Sequence, residues 1–151
     1  MKIISHRANL DGPSPATENT RTEIEKCFSL GLDVEVDVWK VDDRLFLGHD
    51  APQEEVSEDF LTDSRLWIHC KNIDAFISIN RLGLNCFVHE NDPLVLTSQK
   101  RIWLHPNVGL VSGWNHVQVL PERNLCVSEV RQWLAANKSY GICTDYPLEY
   151  K

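Results

Sequence analysis

The stretch Leu32–Asp50, LDVEVDVWKVDDRLFLGHD, decides how this chain is read. In an extended strand successive side chains alternate between faces, so Asp33, Glu35 and Asp37 form one row and Val34, Val36 and Val38 the other. The valine row requires an apolar layer against it. The acid row is costly to bury unless positive charge lies against it. Two carboxylates two residues apart near a strand's end can converge on one hard cation, Mg²⁺ or Ca²⁺, which prefers oxygen ligands. The plain alternative is an edge strand with its acids in water. Against it stand Gly48-His49-Asp50, one hairpin length further on, and Ile4-Ser5-His6-Arg7 near the start of the chain.

Upstream, Lys2–Arg7 reads as a short buried strand and the residues around Gly12, Pro13 and Pro15 as a loop. Thr20-Arg-Thr-Glu23 has the spacing of a capping box, Ile24, Cys27 and Phe28 follow at helical spacing, and Gly31 ends the helix. Strand, loop, helix, strand is the order of a right-handed crossover between parallel strands. Downstream, the pattern predicts a turn at Asp42-Asp43, an extended run Arg44–Leu47 and a helix over Glu54–Arg65. A strand follows at Leu66–Cys70, then a helix over Ile73–Leu82 stopped by Gly83. Strands are predicted at Cys86–His89, Ile102–His105, Val117–Leu120 and Gly141–Thr144, with a helix at Val127–Asn137. Four apolar runs end in a histidine: His6, His69, His89 and His105. C-terminal strand ends are where α/β barrels place their chemistry. His116 has no such context and reads as a loop residue.

A chain of 151 residues is one domain's worth, residues 1–151, and with 42% apolar and 25% charged residues it can build a core. A formal net charge of −7 with no basic run argues against nucleic acid as a non-specific partner. Five scattered cysteines without a C-x-x-C pair suggest neither a disulfide framework nor a zinc ribbon. Reduced thiols in a cytoplasm are expected, and no stretch has signal or bilayer-spanning length.

The ordered set His6-Arg7, Glu18-Asn19-Thr20, Gly31 with Glu35-x-Asp37-Val38, Gly48-His49-Asp50, and the late Gly141-Ile142-Cys143-Thr144-Asp145-Tyr146-Pro147 resembles the glycerophosphodiester phosphodiesterase family. The resemblance implies a (β/α)₈ barrel, shared in outline with phosphoinositide-specific phospholipases C. In so short a chain it would be a compact, reduced TIM-type barrel with some helices replaced by loops, notably around 91–101 and 107–124. It implies a metal-dependent phosphodiesterase acting on a small glycerophosphodiester-like substrate. His6 and His49 would be acid and base, Glu35 and Asp37 metal ligands, and Arg7 and Lys71 phosphate ligands. One position departs from the pattern: where the family carries Glu-x-Lys on the third strand, this chain reads His69-Cys70-Lys71.

The residues suit those roles on chemical grounds. Arg7 offers a fork of donors matching two phosphate oxygens, and Lys71 a second positive charge. Histidines exchange acid and base roles around neutrality. The third metal ligand stays open between His69 and an oxygen from Glu90 or Asp92. An imidazole there would favour Mn²⁺ or Zn²⁺ over Mg²⁺ or Ca²⁺. Glu18 and Asn19 suit helix entry as well as function, and Asp50 suits orienting His49. Two other functions fit the same residues: a shrunken relative that binds a phosphorylated ligand without turnover, and a metal-dependent amide hydrolase, in which Arg7 and Lys71 have no task.

Overall fold

The computed structural model describes residues 1–151. Its organising element is β2 (Asp33–Val41), whose Val34, Val36 and Val38 are all fully buried. Burying each contributes about 1.5–3 kcal/mol relative to exposure. On one side β2 pairs in parallel with β1 (Lys2–His6), on the other with β5 (Leu66–Cys70). Its C-terminal half also forms a hairpin with β3 (Arg44–Leu47), which is extended by β4 (Glu54–Val56). The parallel set continues through β6 (Cys86–Phe87), β8 (Ile102–Leu104), β9 (His116–Val119) and β10 (Gly141–Thr144), in the order β6-β5-β2-β1-β10-β9-β8. A short β7 (Leu94–Leu96) runs antiparallel to β8.

The fold is therefore not a (β/α)₈ barrel. It is a mixed ten-stranded sheet curled into a half-barrel, with few helices. Only α1 (Arg21–Ser29), α2 (Glu58–Leu61), α3 (Ile73–Arg81) and α4 (Val127–Ala136) are α-helical. A full barrel of that type typically takes about 250 residues. Here β2 reaches β5 through a hairpin and one helical turn, β6 reaches β8 through an antiparallel strand, and β8 reaches β9 through a loop. The helix predicted over Glu54–Arg65 resolves into β4 and the four-residue α2, because pairing with β3 captures Glu54–Val56. The fourth predicted strand stops at Phe87, leaving Val88 exposed and β6 beside β5 but not beside β8. His116 is no loop residue: it opens β9, is buried, and turns its ring Nε2 to the Val111 carbonyl.

The curl creates two cores. On the convex face the valines of β2 pack with Ile24 and Cys27 of α1 and Ala75 and Ile79 of α3. On the concave face Ile4, Trp67, Phe87, Trp103, Val117, Val119 and Cys143 fill the interior. Phe87 and Trp103 stand 4.7 Å apart between ring centroids, and Trp67 and Trp103 5.7 Å. Aromatic packing thus spans β6 and β8, which share no ladder. Strand alternation continues each inward row: Ile4 leads to His6, Trp67 to His69, Phe87 to His89, Trp103 to His105 and Cys143 to Asp145. No helix is long and apolar enough to cross a membrane.

Candidate active site

Those inward rows end around one cavity of about 370 Å³. His6, Arg7, Glu35, Asp37, His49, His69 and Lys71 line it, with His89, Glu90, His105 and Arg123. A larger cavity of about 480 Å³ lies among Lys2, Asp33, Arg101 and Tyr140 and contains no histidine. The acid row of β2 is split accordingly. Asp33 accepts from Lys2 Nζ at 3.0 Å and Trp67 Nε1 at 3.1 Å, away from the other two acids.

Glu35, Asp37 and His69 offer ligand atoms within 4.8 Å of one another. All three side chains are largely shielded from solvent, Asp37 completely. Asp37 is the most heavily constrained. The Asn19 side-chain amide donates to its Oδ2 at 2.9 Å, while Asn19 Oδ1 accepts the Asp37 backbone N–H at 2.9 Å. Arg7 Nε lies 3.3 Å from Oδ2, and Lys71 Nζ 3.3 Å from Oδ1. Burial works against ionisation, yet His69, Lys71 and Arg7 together hold this carboxyl far below the usual range. Glu35 goes the other way: burial and the neighbouring Asp37 charge push it up, and His6, His69 and Arg7 only partly offset them.

His69 Nε2 lies 3.0 Å from the His89 carbonyl, which can only accept, so the ring carries a proton there. Nδ1 then faces Asp37 Oδ1 at 2.9 Å and Glu35 Oε1 at 4.0 Å. The approach to Asp37 is close but out of line, so Asp37 Oδ1 is a buried carboxylate oxygen with no aligned hydrogen-bond donor. A buried carboxylate oxygen held by ion-pair contacts with Lys71 and His69 but by no aligned hydrogen bond, beside a second carboxylate and an imidazole nitrogen, suits a divalent cation. Glu90 lies on the cavity rim, exposed; Asp92 is not among the lining residues.

Backbone strain aims part of the site. Arg7 and Ala8 follow β1 with φ of 51° and 64°, and Asn19 has φ 56°. Such values cost a non-glycine residue roughly 1–3 kcal/mol and persist only where surrounding structure imposes them. The turn at Arg7 directs its backbone N–H onto Glu35 Oε2 at 3.2 Å, and Glu18 Oε1 accepts from its Nη1 at 3.1 Å. Gly48 has φ 144°, and a Cβ there would run into the Ala51 carbonyl oxygen. The turn therefore needs glycine. It places His49 at the cavity with its Nδ1 on Asp50 Oδ1 at 2.7 Å.

Asp145 is the functional residue whose role local spacing did not disclose. His6 Nδ1–H donates to Asp145 Oδ1 at 2.7 Å, and Asn9 Nδ2 donates to the same oxygen at 2.9 Å. His6 Nε2 is left facing Glu35 Oε2 at 4.0 Å. Burial would lower the His6 pKa, but the Asp145 bond and the charges of Glu35 and Asp145 outweigh it and hold the imidazole above its ordinary value. Burial likewise opposes ionisation of Asp145, and His6 reverses it, keeping the carboxyl low. The signal for Asp145 lay in its place just past the last inward row, but its partner is 139 residues away in sequence.

The chemistry available is an oriented imidazole, a second histidine, a buried carboxylate pair with a nitrogen donor, and two cationic side chains around one cavity. No family model, no curated protein and no solved structure matches this chain.

Proposed function

We propose that the protein is a metal-dependent phosphodiesterase acting on a small glycerophosphodiester-like substrate at this cavity. The observation that supports the reading most is the Asp145–His6 dyad set beside Glu35, Asp37 and His69 with Arg7 and Lys71 at hand. Phosphodiester cleavage loads charge on the non-bridging oxygens, needs a proton taken from the nucleophile, and needs one given to the leaving alkoxide.

Each requirement has a residue. His6, oriented through Nδ1 by Asp145, donates from Nε2 to the leaving oxygen. His49, oriented through Nδ1 by Asp50, accepts the nucleophile's proton. Arg7 uses Nε and Nη1 on Asp37 and Glu18, which leaves Nη2 without an ion-pair partner and available to a phosphate oxygen. Lys71 is the second phosphate ligand. Glu35, Asp37 and His69 Nδ1 would hold the divalent cation, Mg²⁺ or Ca²⁺ if oxygen dominates and Mn²⁺ or Zn²⁺ if the nitrogen does. When bound, the cation supplies charge neutralisation at phosphate and acidifies a bound hydroxyl.

One observation favours a second reading. Arg7 and Lys71 already lie against the Asp37 carboxylate without a cation, as in a protein that binds a phosphorylated ligand and does not turn it over. Hydrolysis of bis-(p-nitrophenyl) phosphate with Mg²⁺, Ca²⁺ or Mn²⁺ separates the two. Turnover with any of these ions supports the enzyme. Because p-nitrophenolate leaves without protonation, the acid is tested on a glycerophosphodiester, where turnover falling about 10²–10⁴-fold in His6→Ala supports His6 and equal turnover rules it out.

A further inference from the structure

One wall of the cavity carries a cation that the reaction does not use. Arg123 lines the cavity, is exposed to solvent and closes no ion pair, its charge reaching Asp145 only at long range. An unpaired guanidinium is ordinary on a surface, but this one stands on a constructed support. The 3₁₀ turn Pro121–Arg123 is reached through Leu120, whose φ of 46° and ψ of 47° are left-handed. A bulky residue with positive φ is an outlier imposed by its surroundings, and Leu120 is buried at the cavity wall. Glu122 locks the turn to the end of β10: its Oε1 accepts from Thr144 Oγ1 at 2.7 Å and from the Asp145 backbone N–H at 2.9 Å. Asn124 ties the other side down by donating to the Pro106 carbonyl at 3.1 Å.

The same wall holds His105, next to Pro106. Its Nδ1 accepts the Asn107 backbone N–H at 3.1 Å, so the ring's proton sits on Nε2 and makes that edge a donor. His89 stands beside it, with ring centroids 5.3 Å apart. The one carboxylate among the cavity residues on this side is Glu90, which is exposed. Arg7 and Lys71 face the reacting phosphate from β1 and the end of β5, so Arg123 and His105 are placed to meet a different part of the substrate.

We propose that Arg123 and His105 form a subsite for a second anionic group, a carboxylate or phosphate carried on one of the alcohols of the phosphodiester. The substrate class narrows accordingly to diesters of an acidic alcohol, not esters of a neutral or cationic one. This deepens the phosphodiesterase reading and rests on it for the position of the reacting phosphate.

The test is calorimetric titration in Mg²⁺ buffer at low ionic strength with two probes, methylphosphonate and 3-phosphonopropionate. Wild type is expected to bind the second about tenfold more tightly, as one charge-assisted contact supplies. Arg123→Ala should bring the two affinities together, and Arg123→Lys should keep most of the preference. Equal affinities in wild type, or a preference that survives Arg123→Ala, would overturn the subsite. Hydrolysis of a glycerophosphodiester whose second alcohol carries a carboxylate, on the same samples, reports separately. Hydrolysis without the preference removes the subsite alone; the preference without hydrolysis upholds the subsite and removes the phosphodiesterase reading.

Discussion

His6 and His69 show how one residue type takes two tasks from its second nitrogen. The proton partner of His6 is a carboxylate, which favours the charged ring; the partner of His69 is a carbonyl, which leaves Nδ1 facing Glu35 and Asp37. The first consequence is a pH-dependent stability. His6 has a raised folded pKa, so its contribution is full below the unfolded value near 6.5 and is lost as pH rises through the folded value. Asp145 has a depressed folded pKa, so its contribution is full above about 3.9 and is lost as pH falls through the folded value. Urea unfolding of metal-free protein should therefore show Asp145→Asn costing about 1–3 kcal/mol between roughly pH 4 and 6.5, and less above that. A cost that does not vary with pH would separate the pair from the titration. The second consequence concerns His69→Glu, which replaces the nitrogen donor by oxygen. Metal preference, read as the rank order of thermal stabilisation, should move from Mn²⁺ or Zn²⁺ toward Mg²⁺ or Ca²⁺. An unchanged order would show that His69 is only a hydrogen-bonding neighbour.

Among the elements, β2 and the hairpin after it were legible because period-two alternation was complete: valines out, acids in, and a glycine where the turn forbids a Cβ. Gly48→Ala should cost about 1–3 kcal/mol through its backbone angle and the Ala51 carbonyl. Because the same turn carries His49, activity should fall by more than the folded fraction does. Chemical denaturation beside steady-state kinetics checks this, and a stable, fully active variant would remove the positioning role. Where the reading failed, local composition and tertiary pairing disagreed. Glu54-Glu55-Val56 carries two good helix formers, yet β3 offers an open edge and takes all three residues as β4. His116 lacked a preceding apolar run, and only its place beside β8 and β10 explains its burial.

At the scale of the molecule, the strand-end histidines correctly indicated a shared polar mouth and misled about what surrounds it. An alternating strand records which face is inward, not whether a helix or a loop covers the outer face. The half-barrel is held together between β6 and β8 by Phe87 and Trp103, with Ser98 bridging to Cys86 through a 2.8 Å backbone bond and a 3.0 Å side-chain bond. Trp103→Ala should cost about 3–5 kcal/mol, a large share of a small domain's stability. A loss below about 1 kcal/mol in urea would show that the seam does not depend on this ring. Asp145 belongs to this scale too, since only the pairing of β1 with β10 sets it against His6.

The most direct measurement is ³¹P NMR of a glycerophosphodiester incubated with wild type and with His6→Ala, each with EDTA and then with Mg²⁺ or Mn²⁺ in excess. The account predicts that the diester resonance is lost and a monoester or cyclic phosphate appears only with wild type and restored metal. Conversion that persists in EDTA or in His6→Ala, or no conversion with any of these ions, would contradict it.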